Sequence, residues 1–530
     1  MMKRNIFLYI VIGIFLFSCT NSAINLNPKD AISYDVAFET PERCELSVVG
    51  CYDAAQSGYY PGNNQRRGYP FGAASVEQGD MRGEDMVNVQ AFFAVTYNGD
   101  YTTTSPNGQA HWECTFQMVN KINIVIEGLQ GAASRNVISV EKAEEYIGEL
   151  RFLRALGFHE MMIHFAMPYK YTADGSHYGI PVSIKPINTI QGVEEAKAAG
   201  RATAKATYAQ IIDDLNYAES KLPPTRSGGL KISRATKGAA IAAKTRVYQH
   251  MYDWNAVITE AKKIVSDNAP FTSSIGGYQL TDAPEGPFAN NSGNSESMWS
   301  IENTELDNCT NNGSLSQFYS TVRGLVCVSP IIINADFWLA EDLRRSQLLV
   351  FENDVWWSHK YRARTAMTDW TPIIRYAEVL LNYAEAEARV NGLTSKAVSL
   401  LNAVRNRAVT NPAHQYTLAS FADADAFMQA LINERRIEFL GEGKRWPDIH
   451  RLSTDPKYAV KISDGTPGIP AKVLYANITV SDWQPASGVV RPELLKIAEF
   501  SGTDRRFLFP IPYSETSSNQ KLKEQQNAGW

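Results

Sequence analysis

The densest group of chemically active side chains in this sequence lies between Asn433 and Leu452. Acidic and basic residues occur there three or four positions apart, and such residues face each other on a helix. The pairs at these spacings are Arg435 with Glu438, Glu442 with Arg445, Asp448 with Arg451, and Lys444 with Asp448. Glu434 and Glu438 suggest glycoside hydrolysis, but nothing near them supplies an acid and a base across a cleft. We therefore interpret the segment as a charged helix–break–helix element held by local ion pairs.

A second carboxylate cluster consists of Asp80, Glu84 and Asp85. A glycosidase needs two carboxylates roughly 5–10 Å apart across a cleft, whereas acids within one loop more simply form a turn or an ion-binding surface. The chain contains no nucleophile elbow, phosphate loop, Cys-x-x-Cys or His-Glu-x-x-His motif. His159 and His164 are five residues apart, which places them on different faces of a helix. The sequence therefore predicts no catalytic residue, no cofactor and no metal site.

Residues 1–18 have the form of a bacterial export signal. Two basic residues precede an apolar run of 12 residues, Ile6–Phe17, which is too short to span a bilayer comfortably. The run ends at Leu16-Phe17-Ser18-Cys19, a pattern similar to a lipobox. We expect Cys19 to become the acylated first residue of the mature protein, followed by a flexible tether over residues 19–35. The alternative is ordinary secretion with an incidental cysteine.

The mature chain would be large and mildly acidic. Removing residues 1–18, which include Lys3 and Arg4, lowers the number of basic residues from 51 to 49 against 56 acidic ones, a formal charge of −7. This balance argues against nucleic acid as a partner. Besides Cys19, the mature chain contains five cysteines, and an odd number argues against a full disulfide framework. A bridge between Cys309 and Cys327 stays open as an expectation.

The pattern of apolar residues predicts a mainly helical body. Apolar positions at helical spacing occur over residues 139–165, 207–222, 236–265, 375–390, 395–408 and 421–440. Helix pairs would thus occupy residues 139–267 and 371–452. Small residues at helix contacts and a period of about 34–40 residues are typical of tetratricopeptide-like repeats. Polar, aromatic and Gly-rich stretches near residues 56–111, 268–336 and 453–490 predict long inserted loops.

Several segments of the chain resemble the SusD-like (RagB/SusD) family of outer-membrane nutrient-binding lipoproteins. In the charged segment, the shared residues are Glu434, Arg435, Arg436, Glu438, Glu442, Gly443, Arg445, Trp446, Asp448 and Arg451. Further similar segments follow the family's order at Gly148–Ala155, Arg375–Glu387, Phe509–Pro512 and Gln525–Trp530. Pro447 within the motif is a departure from it. The resemblance implies a mainly α fold over residues 36–530, in which a tetratricopeptide-like scaffold of helix pairs carries the ligand site on long inserted loops.

The same resemblance implies a function. Proteins of this family capture oligosaccharides without cleaving them and deliver them to a SusC-like TonB-dependent transporter, so we expect a lipid-anchored protein that faces the cell exterior. The first acidic residue after Cys19 is Asp30, whereas surface-exposed lipoproteins often carry acids just after the cysteine. The side of the outer membrane therefore stays open. Two alternatives are a surface glycoside hydrolase and a tetratricopeptide scaffold that binds peptides.

Candidate ligand residues are sought in the inserted loops, because sugars need aromatic rings for their C–H faces and polar side chains for their hydroxyls. The first candidates, in the Gly- and Pro-rich stretch 57–71, are Tyr59, Tyr60, Asn63, Asn64, Arg66, Arg67 and Tyr69. Others are Tyr97, Asp100 and Tyr101, and in the middle insertion Trp299 and Tyr319. Their rings could instead pack inward. Two adjacent arginines also suggest an acidic sugar, because guanidinium groups pair with carboxylates.

Overall fold

The computed structural model describes residues 36–60, 62 and 64–530, so the predicted signal peptide, Cys19, the tether and Asn63 lie outside the described residues. The described part is mainly helical. Its α-helices are α1 (Pro41–Ser57), α2 (Ala73–Met81), α3 (Ala94–Asn98), α4 (Pro106–Ser134), α5 (Val140–Phe165), α6 (Ile190–Ala198), α7 (Ala204–Lys221), α8 (Leu230–Ser233), α9 (Lys237–Met251), α10 (Trp254–Ile264), α11 (Gly286–Ala289), α12 (Leu315–Phe318), α13 (Pro330–Ile333), α14 (Leu343–Gln347), α15 (Tyr376–Asn391), α16 (Ser395–Arg405), α17 (Ala424–Glu438), α18 (Arg445–Leu452), α19 (Tyr513–Thr516) and α20 (Gln520–Glu524).

The strands are short and pair two by two. They are β1 (Met86–Asn88), β2 (Ser297–Ile301), β3 (Val326–Val328), β4 (Leu349–Glu352), β5 (Val355–Ser358), β6 (Thr371–Arg375), β7 (Gly468–Ile469), β8 (Lys472–Val473), β9 (Leu495–Ile497) and β10 (Phe500–Ser501). All pairings are antiparallel: β1 with β3, β2 with β6, β4 with β5, β7 with β10, and β8 with β9. The pair of β1 and β3 joins two segments that the sequence predicts as separate loops.

The helices begin where the sequence provides capping side chains. Ser139 Oγ accepts a hydrogen bond from Lys142 N at 3.1 Å and starts α5, and Thr40 caps α1 in the same way. The predicted break in residues 236–265 occurs at Tyr252, which has a left-handed φ of 61°. Asp253 then caps α10. The predicted long helices are therefore confirmed within a few residues at each end.

The main core lies between the paired helices. Helix α5 packs against α4 and α7, and α15 packs against α10 and α16. On α9, four buried alanines (Ala239, Ala240, Ala242 and Ala243) lie in the same apolar cluster as the residues of α5 and α15. Small side chains let these helices approach closely. The tetratricopeptide-like arrangement expected from the sequence follows from this packing.

The predicted loop region 56–111 contains a helix that the apolar pattern missed. All nine residues of α2 are buried, including Glu77, Gln78 and Asp80. The prediction of this stretch as loop was wrong because polar residues occupy buried positions, and a search for apolar spacing passes over them. The bridge that the sequence left open in the middle insertion does not form: Cys309 and Cys327 are both free and buried.

Two glycines let α2 contact the break between α17 and α18. Gly443 has a φ of 71°, a conformation that favours glycine, and a Cβ there would lie 2.7 Å from Val76 O. A Cβ on Gly79 would lie 2.2 Å from Gly443 O. The two backbones therefore touch at a distance that leaves no room for side chains.

A buried ion network centred on Arg375 holds these elements together. Its guanidinium donates to Glu296 at 2.5 Å, to Glu438 at 2.8 Å, and to Glu442 at 2.8 and 2.9 Å. Lys360 also donates to Glu442, at 2.5 Å. All five side chains are buried. Because they come from distant parts of the chain, the network ties the charged segment to β2 and β6.

The ion pairs of the charged segment are therefore mostly long-range. Among the four local pairs predicted, only Asp448 with Arg451 forms, at 2.8 Å. Glu438 and Glu442 pair with Arg375 instead of their predicted partners. The prediction of local pairing was wrong because the segment is buried, and buried charges pair with whatever opposite charge the fold brings into contact.

We expect Glu442→Gln to lower the free energy of unfolding by about 3–5 kcal/mol, because it leaves Arg375 and Lys360 buried with less compensating charge. Chemical denaturation of the full chain measures this change. Glu305→Gln, at an exposed position, is the control and should change stability by less than about 0.5 kcal/mol. Equal stability of the two variants would contradict the structural role of the network.

Candidate functional site

Two of the predicted candidate loops meet and form one surface. Arg66 pairs with Asp307 and also lies 3.3 Å from Asp53. Asn312 Nδ2 donates to Gln65 Oε1 at 2.9 Å. We call the described residues of 57–69 together with 303–323 the loop surface. It presents amide, carboxylate and hydroxyl groups from both loops, which suits the hydroxyls of a sugar.

An aromatic group forms one side of the loop surface. The rings of Tyr60 and Phe92 are stacked with their centroids 6.0 Å apart, and both are half-buried. Tyr60 Oη donates to Asn107 Oδ1 at 2.9 Å, which holds the ring in place. Phe92 was missed from sequence. The adjacent pair Phe92-Phe93 was an available signal, because Phe93 is buried and Phe92 is only half-buried.

The other first-loop candidates differ in exposure. Tyr59 is 39% exposed, and Asn64 is exposed as well. Tyr69, in contrast, is fully buried, and its hydroxyl accepts a hydrogen bond from Gln78 Nε2 at 3.3 Å. Its ring has no surface to offer a ligand. The expectation for Tyr69 is therefore corrected: it belongs to the core beneath the loop.

Four further aromatic candidates also prove to be core residues. Tyr97 donates to Val473 O at 2.7 Å, and Tyr101 packs edge-on against Phe509. These four rings, all at most 4% exposed, are Tyr97, Tyr101, Trp299 and Tyr319. The expectation that they stack on a sugar does not hold. Tyr97 and Trp299 lie in elements of only five residues and the other two lie outside regular elements, so no periodicity in the sequence tells an inward ring from an outward one.

Trp299 and Asp100 show the two ways in which a candidate falls outside the loop surface: Trp299 is buried in the core, and Asp100 is exposed elsewhere. Trp299 lies in β2 between Phe71 and Phe152, edge-on to both at centroid distances of 5.5 and 5.4 Å. Asp100 is exposed, but it lines an open cavity with Arg505 and not the loop surface. Neither residue joins the first-loop candidates.

The two adjacent arginines already have partners. Arg66 is neutralised by Asp53 and Asp307. The guanidinium of Arg67 lies over the rings of Tyr60 and Phe92, at 4.9 and 5.3 Å from their centroids, and burial lowers its pKa. The acidic sugar suggested by these residues thus loses its structural support, because neither cation is open to a carboxylate.

Asp80, one of the three acids considered for hydrolysis, is buried beneath the middle insertion. Its Oδ2 accepts from Tyr319 Oη at 2.5 Å and its Oδ1 from Gly443 N at 3.0 Å. Burial raises the pKa of Asp80 to about 7. Its hydrogen bonds join the middle insertion to the charged segment, which is a structural task.

Glu84 and Asp85 are also held by other residues, in ion pairs with arginines of the charged segment. Glu84 accepts from Arg445, and Asp85 accepts from Arg436 at 2.5 and 3.1 Å. Burial would raise the pKa of Glu84, but Arg445 and Arg436 outweigh it and hold that pKa at about 2. The cavity beside Asp80 and Asp85 measures about 10 Å³, which barely holds one water. A sugar cannot reach these carboxylates.

One group among the described residues has the spacing of metal ligands: His111, Glu160 and His164. Arg82 NH1 lies 3.3 Å from His164 Nδ1, and a guanidinium only donates, so Nδ1 accepts and Nε2 carries the proton. That proton faces Glu160 Oε1, 3.2 Å away. Burial lowers the pKa of His164 to about 3, which keeps the ring neutral. The geometry favours a hydrogen-bonded chain over a metal site.

A larger cleft lies on another part of the molecule. It measures about 620 Å³ and lies between α4, α6 and residues 181–187. Its wall is largely apolar, and helix α6 has no buried residue, with Ile190 87% exposed. In the described part of the chain, no helix combines the length and apolar character needed to cross a bilayer.

Comparisons with known proteins agree with the fold and the charged segment. Residues 356–530 match a family model described as the SusD family, and residues 55–249 match one described as starch-binding, associating with outer membrane. SusD-like protein P2 of Formosa agariphila is 23% identical over 507 residues, which cover 85% of this chain and 91% of the relative. The C-terminal part of the chain thus matches the SusD family model, and the chain as a whole is similar to SusD-like proteins.

Solved structures show the same fold. A SusD superfamily protein from Bacteroides fragilis superposes with a TM-score of 0.74 at 25% identity, over 91% of this chain and 99% of that one. A laminarin-binding SusD-like protein superposes with a TM-score of 0.64 at 19% identity, over 93% of this chain and 100% of that one. The mainly helical, tetratricopeptide-like fold expected from the sequence is confirmed.

We expect the protein to lose stability in acid. Burial would raise the pKa of Glu378, but Arg246 and Lys444 hold it at about 2, as Arg445 holds that of Glu84. A depressed carboxyl pKa contributes stability above the unfolded value of about 4.5 and loses it as pH falls toward 2. Each group contributes about 3 kcal/mol at neutral pH.

Thermal melting followed by circular dichroism between pH 7 and pH 3 measures this effect. The melting temperature should fall below about pH 4.5. Added NaCl at pH 7 should change it little, because buried pairs are weakly screened. A melting temperature that stays constant or rises on acidification would show that these carboxylates are not paired as described.

Proposed function

We propose that this protein is a non-enzymatic glycan-binding lipoprotein of the outer membrane, which captures oligosaccharides at the loop surface and delivers them to a SusC-like TonB-dependent transporter. The observation that carries the proposal is the meeting of two inserted loops at Arg66 and Asp307. They combine an exposed tyrosine, a ring stack and several amides on a rigid helical scaffold. The laminarin-binding neighbour supports a glycan as the ligand.

The proposal that the protein does not cleave its ligand is supported by the carboxylates, which already have partners within the fold. Those of the charged segment and of residues 80–85 are buried in ion pairs or hydrogen bonds. Hydrolysis of a glycoside needs an acid and a base that flank the scissile bond. Groups that hold the fold together are poorly suited to that work, so we propose binding without cleavage.

Membrane attachment is proposed through Cys19, which lies outside the described residues. The apolar run before it is shorter than a membrane span, and acyl chains supply anchoring of about 0.8 kcal/mol for each buried methylene. The family description of association with the outer membrane supports this location. An anchor at the N-terminus would hold the loop surface near a transporter in the same membrane.

A second candidate function is peptide binding by the helical scaffold. The largely apolar cleft beside α6 favours it, because an amphipathic partner helix can lay its apolar face into such a groove. The loop surface is the better candidate for binding a sugar, since it combines rings with polar groups.

We expect the double variant Tyr59→Ala with Phe92→Ala to bind laminarin- or starch-derived oligosaccharides about tenfold more weakly, because it removes two ring contacts. Calorimetry on the full chain in detergent measures the affinity. Tyr171→Ala is the control, since Tyr171 is 53% exposed and lies outside the loop surface. No reducing sugar should be released. Unchanged affinity of the double variant, or release of sugar, would refute the proposal.

We expect Cys19→Ala to abolish lipidation and shift the protein into the soluble fraction, because the acyl chains supply the anchor. Metabolic labelling with a palmitate analogue, followed by membrane fractionation, measures both. Cys44→Ala is the control and should keep its label, because Cys44 is buried. Equal labelling of Cys19→Ala and the natural chain would rule out this anchor.

A further inference from the structure

Arg323, at the end of the second loop of the loop surface, is a cation without a carboxylate partner. The residue is half-buried, and its NH1 group donates to Asn311 O at 2.8 Å and to Asn312 Oδ1. Both hydrogens of that nitrogen are thereby used. Arg323 forms no ion pair among the described residues, whereas the nearest acid in the same loop, Asp307, pairs with Arg66.

The remaining edge of the Arg323 guanidinium is available to a ligand. Its Nε and NH2 groups make no hydrogen bond within the described part of the chain, and neither belongs to the enclosed polar atoms that lack a partner. Both groups therefore reach solvent. Such an edge presents two parallel N–H groups, which match the two oxygens of a carboxylate. The same edge of Arg436 binds Asp85 in this protein, at 3.1 and 2.5 Å.

The side chain of Arg323 is held in place before any ligand binds. Its guanidinium lies 5.8 Å from the ring centroid of Phe92 and 5.9 Å from that of Phe318. The backbone oxygen of Arg323 accepts a hydrogen bond from Gln90 Nε2 at 2.6 Å. Together with the contacts of NH1, these interactions fix the long side chain, so that binding a ligand costs little side-chain entropy.

A second positive charge lies close to Arg323 and also lacks an ion pair among the described residues. The guanidinium of Arg67 is 5.3 Å from the centroid of the same ring, Phe92. Burial lowers the pKa of Arg67, and the charge of Arg323 lowers it further, because the two cations repel each other. The buried Glu77 does little to compensate them, since burial raises its pKa well above the ordinary value. An anion beside Phe92 would relieve this repulsion, whereas a neutral ligand would not.

We infer that Arg323 determines the specificity of the loop surface, because its Nε–NH2 edge binds the carboxylate or sulfate group of an acidic sugar unit while Phe92 contacts the C–H face of the ligand. This inference rests on the proposed function, since it takes a glycan as the ligand. It concerns a different cation from Arg66 and Arg67, whose guanidinium groups are already occupied by carboxylates or rings.

Matched probes with one sugar backbone test the inference: a laminarin-derived oligosaccharide, the same oligosaccharide oxidised at its primary hydroxyls to uronic acids, and the same oligosaccharide carrying sulfate esters. Calorimetry on the full chain in detergent measures the affinity for each. The natural chain should bind at least one acidic probe about tenfold more tightly than the neutral one, because a charge-assisted bidentate pair forms only with an anion. This preference should decrease in about 0.5 M NaCl, because salt screens a site that is open to solvent.

Arg323→Gln should abolish the preference for the acidic probes. The ratio of acidic to neutral affinity is the readout, because a variant that merely loosened the contact between the loops would weaken binding of all probes alike. Arg323→Lys should retain part of the preference, since lysine keeps the charge without the fork. Arg505→Gln is the control and should leave the ratio unchanged. Arg505 is exposed, lies 4.3 Å from the ring centroid of Trp530, and lines the open cavity outside the loop surface.

Equal affinity of the natural chain for acidic and neutral probes would overturn the inference, and so would an Arg323→Gln variant that keeps the preference. Should Arg323→Gln fail to fold, Arg323→Lys decides, and it must lower the ratio by at least about threefold. If Tyr59→Ala with Phe92→Ala weakens neutral binding but the natural chain shows no acidic preference, only this inference fails. If the natural chain binds none of the probes, the proposed function itself fails.

Discussion

The pairing of buried charges around Arg375 is the interaction on which the rest of the structure depends. A guanidinium removed from water is tolerable only when carboxylates surround it, and here Glu296, Glu438 and Glu442 supply them. These four residues come from the position just before β2, from β6 and from the charged segment near the C-terminus. The chain can satisfy them only by bringing those elements together. The requirement acts as a constraint on the fold, and it explains why so many charges lie in the interior of the protein.

The same pairing positions the candidate site. Glu84 and Asp85 hold the base of the first inserted loop against Arg445 and Arg436. Arg375 holds Glu296, which lies within the middle insertion. The two loops meet where Gln65 contacts Asn312. The scaffold therefore positions the candidate site, because it presents two loops that have few regular elements of their own.

Much of the helical scaffold was predictable from sequence, whereas most of the site was not. Helix α5 follows from its apolar spacing and from the cap at Ser139, which are local signals. Helix α2 was not predicted, because its buried residues include polar ones and because partners such as Gly443 lie hundreds of residues away. The orientation of rings such as Tyr97 and Trp299 depends on tertiary packing, which residue type alone does not reveal.

Hydrogen–deuterium exchange of the full chain with and without a laminarin-derived oligosaccharide tests the central claim most directly. The claim is that two loops, distant in sequence, form one glycan surface on a scaffold held by buried ion pairs. It predicts that the ligand slows amide exchange in residues 57–69 and 303–323 together, while exchange in α5 and α15 stays unchanged. Protection confined to residues 181–198 beside the apolar cleft, or protection of only one of the two loops, would contradict it.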